Sequence, residues 1–474
     1  MSTAQGPQPG GSMSEHPRPG DELPRGIGML QATSLNVANM VGVGPFITIP
    51  LFINTMRGPQ AMLGWVLGAV LVLCDGLVWS ELGAALPGSG GTYHFLREIY
   101  GRYRGGRLIA FLFIWQFLIS GTLELASGYI GGSNYLAYAL PLLEERLAHW
   151  GIPHGLSVCA AVAAIIVAFT LCRHIRSLAT LAVILCAGTF LTMFIVIIAG
   201  LTNFNAANFT LPPAAFRLDG GFAQGLGSAM LIAVYDYFGY YNVCHLGDEV
   251  KQPEKTIPRA VILSVVIVAV LYLTMNVAII AVVPWQGIVD RLDRGETVAI
   301  ASDFMETLFG RNVAVAFTGL ILWTAIASTF VMTLGYSRIL YAAARNGDFF
   351  RIFARLHPTG RYPYVAILTI GALTAGFCFF SLQEVIETAV VVRIFVQFLG
   401  QIFGLHLLRK TRPDVALPFR MWLYPLPSLI AIVGWSFIVV AQYQYLPAAT
   451  VILASGALVY PIWRYFTAIE RSAA

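Results

Sequence analysis

The residues Gly42-Val43-Gly44-Pro45 interrupt the apolar run from Leu35 to Ile53 near its centre. That run, LNVANMVGVGPFITIPLFI, has the length of a membrane crossing. Glycine weakens a helix, and proline removes a hydrogen-bond donor and clashes with the preceding turn. Unpaired backbone groups are costly in hydrocarbon, so such a break persists only where it lines a cavity. A second run, AMLIAVYDYFGYYNVCHL from Ala229 to Leu246, carries Asp236, Gly239 and Asn242 in its middle. Broken spans mark ligand sites in secondary transporters, so both breaks are candidates for binding chemistry.

Ionisable residues inside apolar spans are costly and are functional candidates by default. Four qualify: Asp75, Glu124, Asp236 and Arg393. Asp236 sits in the second break, where an ionised carboxylate would hold an ammonium group and a protonatable one would carry a coupling proton. A third reading makes it a cap for N–H groups freed by the break. Glu124 opens the run Glu124-Leu125-Ala126-Ser127-Gly128 and either lines the cavity or pairs with a neighbour. Asp75 reads as structural. Arg393, Gln397 and Gln401 recur every four residues, so they share one face of a helix. That face looks toward the bundle or an outer vestibule, with Asp236 or Glu124 as a partner for the arginine. Among the aromatic residues around the second break, Tyr235 and Phe238 flank it and are the gate candidates.

The rest of the chain must position these groups in a bilayer. Of 474 residues, 57% are hydrophobic and 11% charged, against about a quarter charged in soluble domains. Apolar runs recur at about 27–54, 61–86, 107–138, 153–172, 178–201, 221–246, 259–283, 312–345, 363–381, 386–409, 421–443 and 446–466. The fold class is therefore an all-α membrane protein of about twelve spans, occupying about residues 25–470. The first 24 residues, rich in Gly, Pro and Ser, read as a disordered tail without the pattern of a cleaved signal. With the N-terminus inside, about 22 of the 29 Lys and Arg fall on the inner side and about six outside. This places both termini in the cytoplasm. The net charge of +5 is therefore no sign of nucleic acid. The six cysteines lie in or beside apolar spans and read as buried small residues rather than as disulfides or metal ligands. No metal cluster, phosphate loop or nucleophile constellation is present, and neither a cofactor nor an enzymatic reaction is expected.

The second broken span lies five helices after the first. An odd number of crossings reverses the second unit, which is the arithmetic of an inverted repeat. Repeat one covers about 27–201 and repeat two about 221–409, with two further helices at about 421–466.

Three segments outside the breaks resemble one family. They are Ser80-Glu81-Leu82-Gly83-Ala84-Ala85-Leu86-Pro87-Gly88-Ser89-Gly90-Gly91-Thr92-Tyr93, then Gly247-Asp248-Glu249-Val250-Lys251-Gln252-Pro253-Glu254-Lys255-Thr256-Ile257-Pro258-Arg259-Ala260, and Ser337 to Asp348. They are similar to the cytoplasmic connections of the amino acid–polyamine–organocation (APC) permeases, and the resemblance implies the LeuT-type five-plus-five fold. In these segments Glu81 and Glu249 are either gate ion pairs or solvated carboxylates.

The resemblance also implies roles at the breaks. N–H groups of the first break would bind a substrate carboxylate at the positive end of the second half-helix. Carbonyls of both breaks would take its ammonium. The family's usual hydroxyl residue is Val43 here, and its aliphatic position is Pro45, leaving the N–H groups of Val43, Gly44 and Phe46. The implied substrate-binding set is Gly42, Val43, Gly44, Phe46, Tyr235, Asp236, Phe238, Gly239 and Glu124. The coupling-ion candidates are Asp236 and Glu124 for H+ and the hydroxyls of Ser328 and Thr329 for Na+; exchange is the third option. Helix 5 has Thr189 near the place where proton-coupled relatives carry lysine.

The function implied is a secondary active transporter of amino acids in the cell membrane, working by alternating access. The alternatives are a carrier of polyamines or organic cations, suited to two midplane carboxylates, and a non-transporting amine receptor. A disulfide-linked heavy subunit is not expected, since the outer loop after the third span has no cysteine.

Overall fold

The computed structural model describes residues 25–473 apart from 173–175, 214 and 361. The tail through Pro24, Arg173 and the side chain of Cys186 lie outside the described residues. The chain is helical throughout: α1 (Met29–Met40), α2 (Gly44–Met56), α3 (Met62–Ala85), α4 (Thr92–Tyr100), α5 (Gly106–Ala139), α6 (Leu143–His149), α7 (Gly155–Leu171), α8 (Arg176–Thr202) and α9 (Gly220–Asp236). There follow α10 (Pro253–Val282), α11 (Trp285–Asp293), α12 (Ile300–Phe309), α13 (Arg311–Arg345), α14 (Tyr364–Phe377), α15 (Leu382–Arg393), α16 (Gly400–Thr411), α17 (Leu426–Ala441) and α18 (Leu446–Ala473). Among the described residues the only strand pairings are two isolated bridges, Ile27 with Val250 and Ser89 with Leu246.

Among the described residues six helices are long and apolar enough to cross a membrane, and a seventh crossing results if α1 and α2 form one bent span. Four more apolar helices among the described residues are shorter, so a count of twelve needs these and the second broken span as crossings. Their outer faces are apolar and uncovered. On α10, Leu263, Val266, Ile267 and Val270 are all exposed, a spacing that puts one side of the helix toward lipid. Between helices, small residues allow close approach. A Cβ at Gly64 of α3 would fall 2.7 Å from the backbone carbon of Ala229 in α9.

The first break forms as the sequence predicts. α1 stops at Met40, Val41 turns to an extended conformation, and α2 restarts at Gly44 with a 51° bend. Pro45 occupies the first turn of α2, where its missing N–H costs nothing. The second break is longer than a kink. α9 ends at Asp236, and the chain turns at 237–241 before two short 3₁₀ segments, Asn242–His245 and Gly247–Glu249. Gly239 has φ of +109°, and a Cβ there would fall 2.5 Å from the Asn39 amide nitrogen of α1. Only glycine suits that conformation and contact.

Asn36 ties the two breaks together. Its amide nitrogen donates to the Tyr240 carbonyl at 2.6 Å and to Ser264 Oγ at 3.3 Å, while its oxygen accepts from Val243 N–H at 2.8 Å. Asn36→Leu keeps the branched shape but strands buried polar groups on both sides. We expect it to lower stability by about 1–2 kcal/mol, seen as earlier thermal unfolding in detergent. An unchanged unfolding profile would show that the tie is not needed.

The connections also differ from simple loops. α4 lies between α3 and α5, while α11 and α12 fill the segment after α10. Arg57 at the end of α2 donates to both carboxylate oxygens of Asp293 in α11, at 2.7 and 2.5 Å, and holds that carboxyl below its usual range. Glu81 is fully buried rather than solvated. It accepts from Arg409 Nε and an Arg409 terminal nitrogen, both at 2.7 Å, and from Met421 N–H at 2.8 Å. Glu249 serves through its backbone, whose carbonyl accepts from Gly26 and Ile27 N–H at 2.9 and 3.0 Å.

The tenth predicted span, 386–409, is interrupted too. A π-helical stretch, Ile394–Leu399, separates α15 from α16. Such stretches widen the helix and occur often at functional positions. It follows directly after Arg393.

Candidate functional site

A cavity of about 40 Å³ lies where the two breaks meet. Gly42, Val43 and Gly44 border it from the first break, and Tyr235, Asp236 and Phe238 from the second. Glu124 and Gly128 of α5 and Ser328 and Thr329 of α13 complete the wall, with Asn39, Met40 and Met332. The space takes a few waters at most. An amino acid is larger than this space and would need the walls to part.

The wall has a donor side. The N–H groups of Gly42, Val43 and Gly44 have no hydrogen-bond acceptor among the described residues. They stand at the positive end of α2, a place that favours an anion. Phe46 departs from the expectation. Its N–H donates to the Val43 carbonyl at 3.0 Å, closing the first turn, and its ring is fully buried away from the cavity. Gly239 likewise does not border the cavity; it shapes the turn against Asn39.

The acceptor side is Asp236. Its Oδ2 accepts from Thr48 Oγ1 at 2.6 Å, one turn along α2 from Gly44. Its Oδ1 is buried with no hydrogen-bond partner among the described residues and lies against the Gly44 Cα, so even a methyl group at 44 would overlap it. The carboxylate sits at the last residue of α9, so the capping reading, which needs a helix start, applies only through its approach to α2. Tyr235 points its hydroxyl at Ser127 Oγ.

Glu124 both borders the cavity and pairs. Its Oε2 accepts from Arg393 at 2.5 Å and from the Tyr336 hydroxyl at 2.6 Å. Arg393 is fully buried, donates through Nε to Ser120 Oγ at 3.1 Å, and has its guanidinium 4.8 Å from the Phe238 ring centre. Its Nη1 has no partner among the described residues. The polar stripe on this helix faces the bundle: Gln397 and Gln401 are also buried, and Gln401 accepts from Thr92 Oγ1 at 2.9 Å. Asp75 stays apart from the cavity. It accepts from the Tyr240 hydroxyl and from Trp435 Nε1 at 3.3 Å, joining α3 to the second break and to α17.

Ser328 and Thr329 donate to the Ala325 carbonyl of their own helix at 3.2 and 2.8 Å, and Thr329 also hydrogen-bonds the Tyr129 side chain. Ser328 also borders a smaller space of about 10 Å³ shared with Ala38, Asn39, Val41 and Thr189. Among the described residues no three His, Cys, Asp or Glu side chains group as metal ligands.

Sequence reasoning missed Asn39, Met40, Thr48, Gly128 and Met332. Asn39 and Thr48 had a signal, since each is a polar residue one helical turn outside the break. Gly128 had one in its run with Glu124. Met40 and Met332 had none, because nothing separates a cavity methionine from a packing one.

Comparisons with known proteins follow from the whole chain rather than from this site. A serine/threonine exchanger, SteT, of Bacillus subtilis (strain 168) is 27% identical over 429 residues, covering 88% of this chain and 90% of that one. A vacuolar cationic amino acid transporter 4 of Arabidopsis thaliana is 24% identical, over 83% of this chain and 64% of that one. The large neutral amino acids transporter small subunit 2 of Mus musculus is 24% identical, over 89% and 77%. Residues 27–462 match the family described as amino acid permease. With nearly its full length matched, the chain is a multi-pass membrane protein of the amino acid permease family, within the APC superfamily.

Proposed function

We propose that this permease carries amino acids across the cell membrane by alternating access, binding them in the cavity between the two breaks. The observation that supports this reading is one small space bordered both by residues with free N–H donors and by a residue with a free carboxylate oxygen, among the described residues. A zwitterion fits both: its carboxylate meets Val43 and Gly44 N–H, and its ammonium meets Asp236 Oδ1. Alternating access follows in this reading from about twelve crossings arranged as two inverted five-helix units plus two helices, with both termini cytoplasmic. The polyamine reading loses one of its supports, because Glu124 is already neutralised by Arg393. Of the two carboxylates that reading rests on, Asp236 alone has no ion-pair partner among the described residues.

Uptake by Asp236→Asn in proteoliposomes tests the assignment, across pH and with neutral and cationic amino acids. As an ammonium ligand, Asp236 is expected to raise KM about tenfold or more when lost, at every pH and in exchange as well as net uptake. As a proton carrier, its loss would leave exchange intact and remove accumulation driven by a pH gradient. Sodium dependence retained by Asp236→Asn and lost in Ser328→Ala would assign coupling to α13 instead. A profile identical to wild type would remove Asp236 from the site.

A further inference from the structure

At the Gly28 end of α1 two hollows of about 360 and 600 Å³ share Met29, Lys255 and Arg259. The first is walled by Lys251, Lys255 and Arg259 with Gln252 and Thr256. The second continues along α10 over Ile262, Leu263 and Val266, with Phe419 and Trp422 as the opposite wall. Lys251, Lys255 and Arg259 are exposed, and none has an ion-pair partner among the described residues. Glu254 borders the second hollow, one carboxylate there against Lys255 and Arg259, with Lys251 in the first hollow.

The change from charge to hydrocarbon takes place within about one helical turn. Lys255 and Arg259 lie four residues apart, and Leu263 follows four further on, so all three share a face of α10. Below them the exposed stripe of Val266, Ile267 and Val270 continues into the membrane. A soluble anion would satisfy the upper part and leave the apolar groove empty. A hydrocarbon would fill the groove and leave three cations without a counter-charge.

We propose that this groove binds an anionic phospholipid, with its phosphate on Lys255 and Arg259 and Lys251 beside it. One acyl chain lies along Ile262, Leu263 and Val266, against Phe419 and Trp422. Basic residues at the membrane surface attract anionic headgroups, and the groove adds the contact of a fixed chain. Met29 begins α1, so the lipid touches the half-helix that ends at the first break.

Binding to purified, delipidated protein is measured by native mass spectrometry with phosphatidylglycerol and phosphatidylcholine of matched chains. Wild type is expected to bind phosphatidylglycerol about tenfold more tightly or better. The double variant Lys255→Ala/Arg259→Ala is expected to lose that preference while keeping the weak phosphatidylcholine binding. Val266→Trp, which fills the groove without touching charge, is expected to weaken both lipids. Equal binding of the two lipids by wild type would overturn the proposal, as would wild-type affinity in the double variant. The headgroup alone, glycerophosphoglycerol, is expected not to compete at equal concentration. Competition as strong as that of the intact lipid would assign the cations to a soluble phosphate compound and overturn the lipid assignment.

Discussion

Replacing Gly44 with leucine is expected to abolish amino acid uptake while leaving membrane insertion intact. The ground is steric. The first carbon of any side chain at 44 overlaps Asp236 Oδ1, which is fully enclosed by its surroundings. Three more carbons would occupy most of the 40 Å³ cavity. We expect transport to fall about 100-fold or more, equivalent to about 3 kcal/mol, and Gly44→Ala to fall less but measurably. Gly335→Ala on α13 is the control, since a Cβ there meets nothing within 4 Å and uptake should be unaffected. Wild-type uptake by Gly44→Leu would remove the first break from the proposed site.

The second large effect concerns Glu124 and Arg393. Removing one member leaves the other charge buried without compensation, which costs about 3–5 kcal/mol. Arg393→Ala also loses the contact with Phe238 and the bond to Ser120. Glu124→Ala strands a guanidinium whose Nη1 already has no partner among the described residues. Each single variant is therefore expected to unfold at much lower temperature in detergent. The double variant Glu124→Leu/Arg393→Met should recover most of the loss, because it removes both charges and restores volume. Single effects that simply add in the double variant would show that the two residues are not coupled. Arg393→Lys keeps the charge but not the fork, and should fall between wild type and alanine.

Much of the candidate site was legible because the bilayer makes exceptions conspicuous. A Gly-Val-Gly-Pro run or an Asp in hydrocarbon is costly and stands out against its apolar surroundings, so both breaks, Asp236 and Glu124 could be named from type and position. The helices were legible for the same reason, within a few residues for α5, where 107–138 was expected and Gly106–Ala139 is found. Phe46 was misjudged because a free N–H depends on where the first helical turn closes. That depends on φ and ψ at Val43, which no residue type specifies. The π-helical stretch after Arg393 was not legible either. Ile394–Leu399 has an ordinary apolar composition, with no residue type in it that marks a widened turn.

The amino acid sequence alone determined a helical membrane protein with two interrupted spans, since hydrocarbon length, helix breakers and buried charges are all local properties of the chain. It also determined that the interruptions fall near Gly42–Pro45 and Asp236–Gly239. Tertiary structure alone decided which groups are spent and which remain free. Glu124 is taken by Arg393 from a helix 269 positions away, Asp75 by Tyr240 and Trp435, and half of the Asp236 carboxylate by Thr48. These pairings join residues that no periodicity connects. They follow from how the helices pack, and they leave three N–H groups and one carboxylate oxygen without partners among the described residues, on residues that border the same small space.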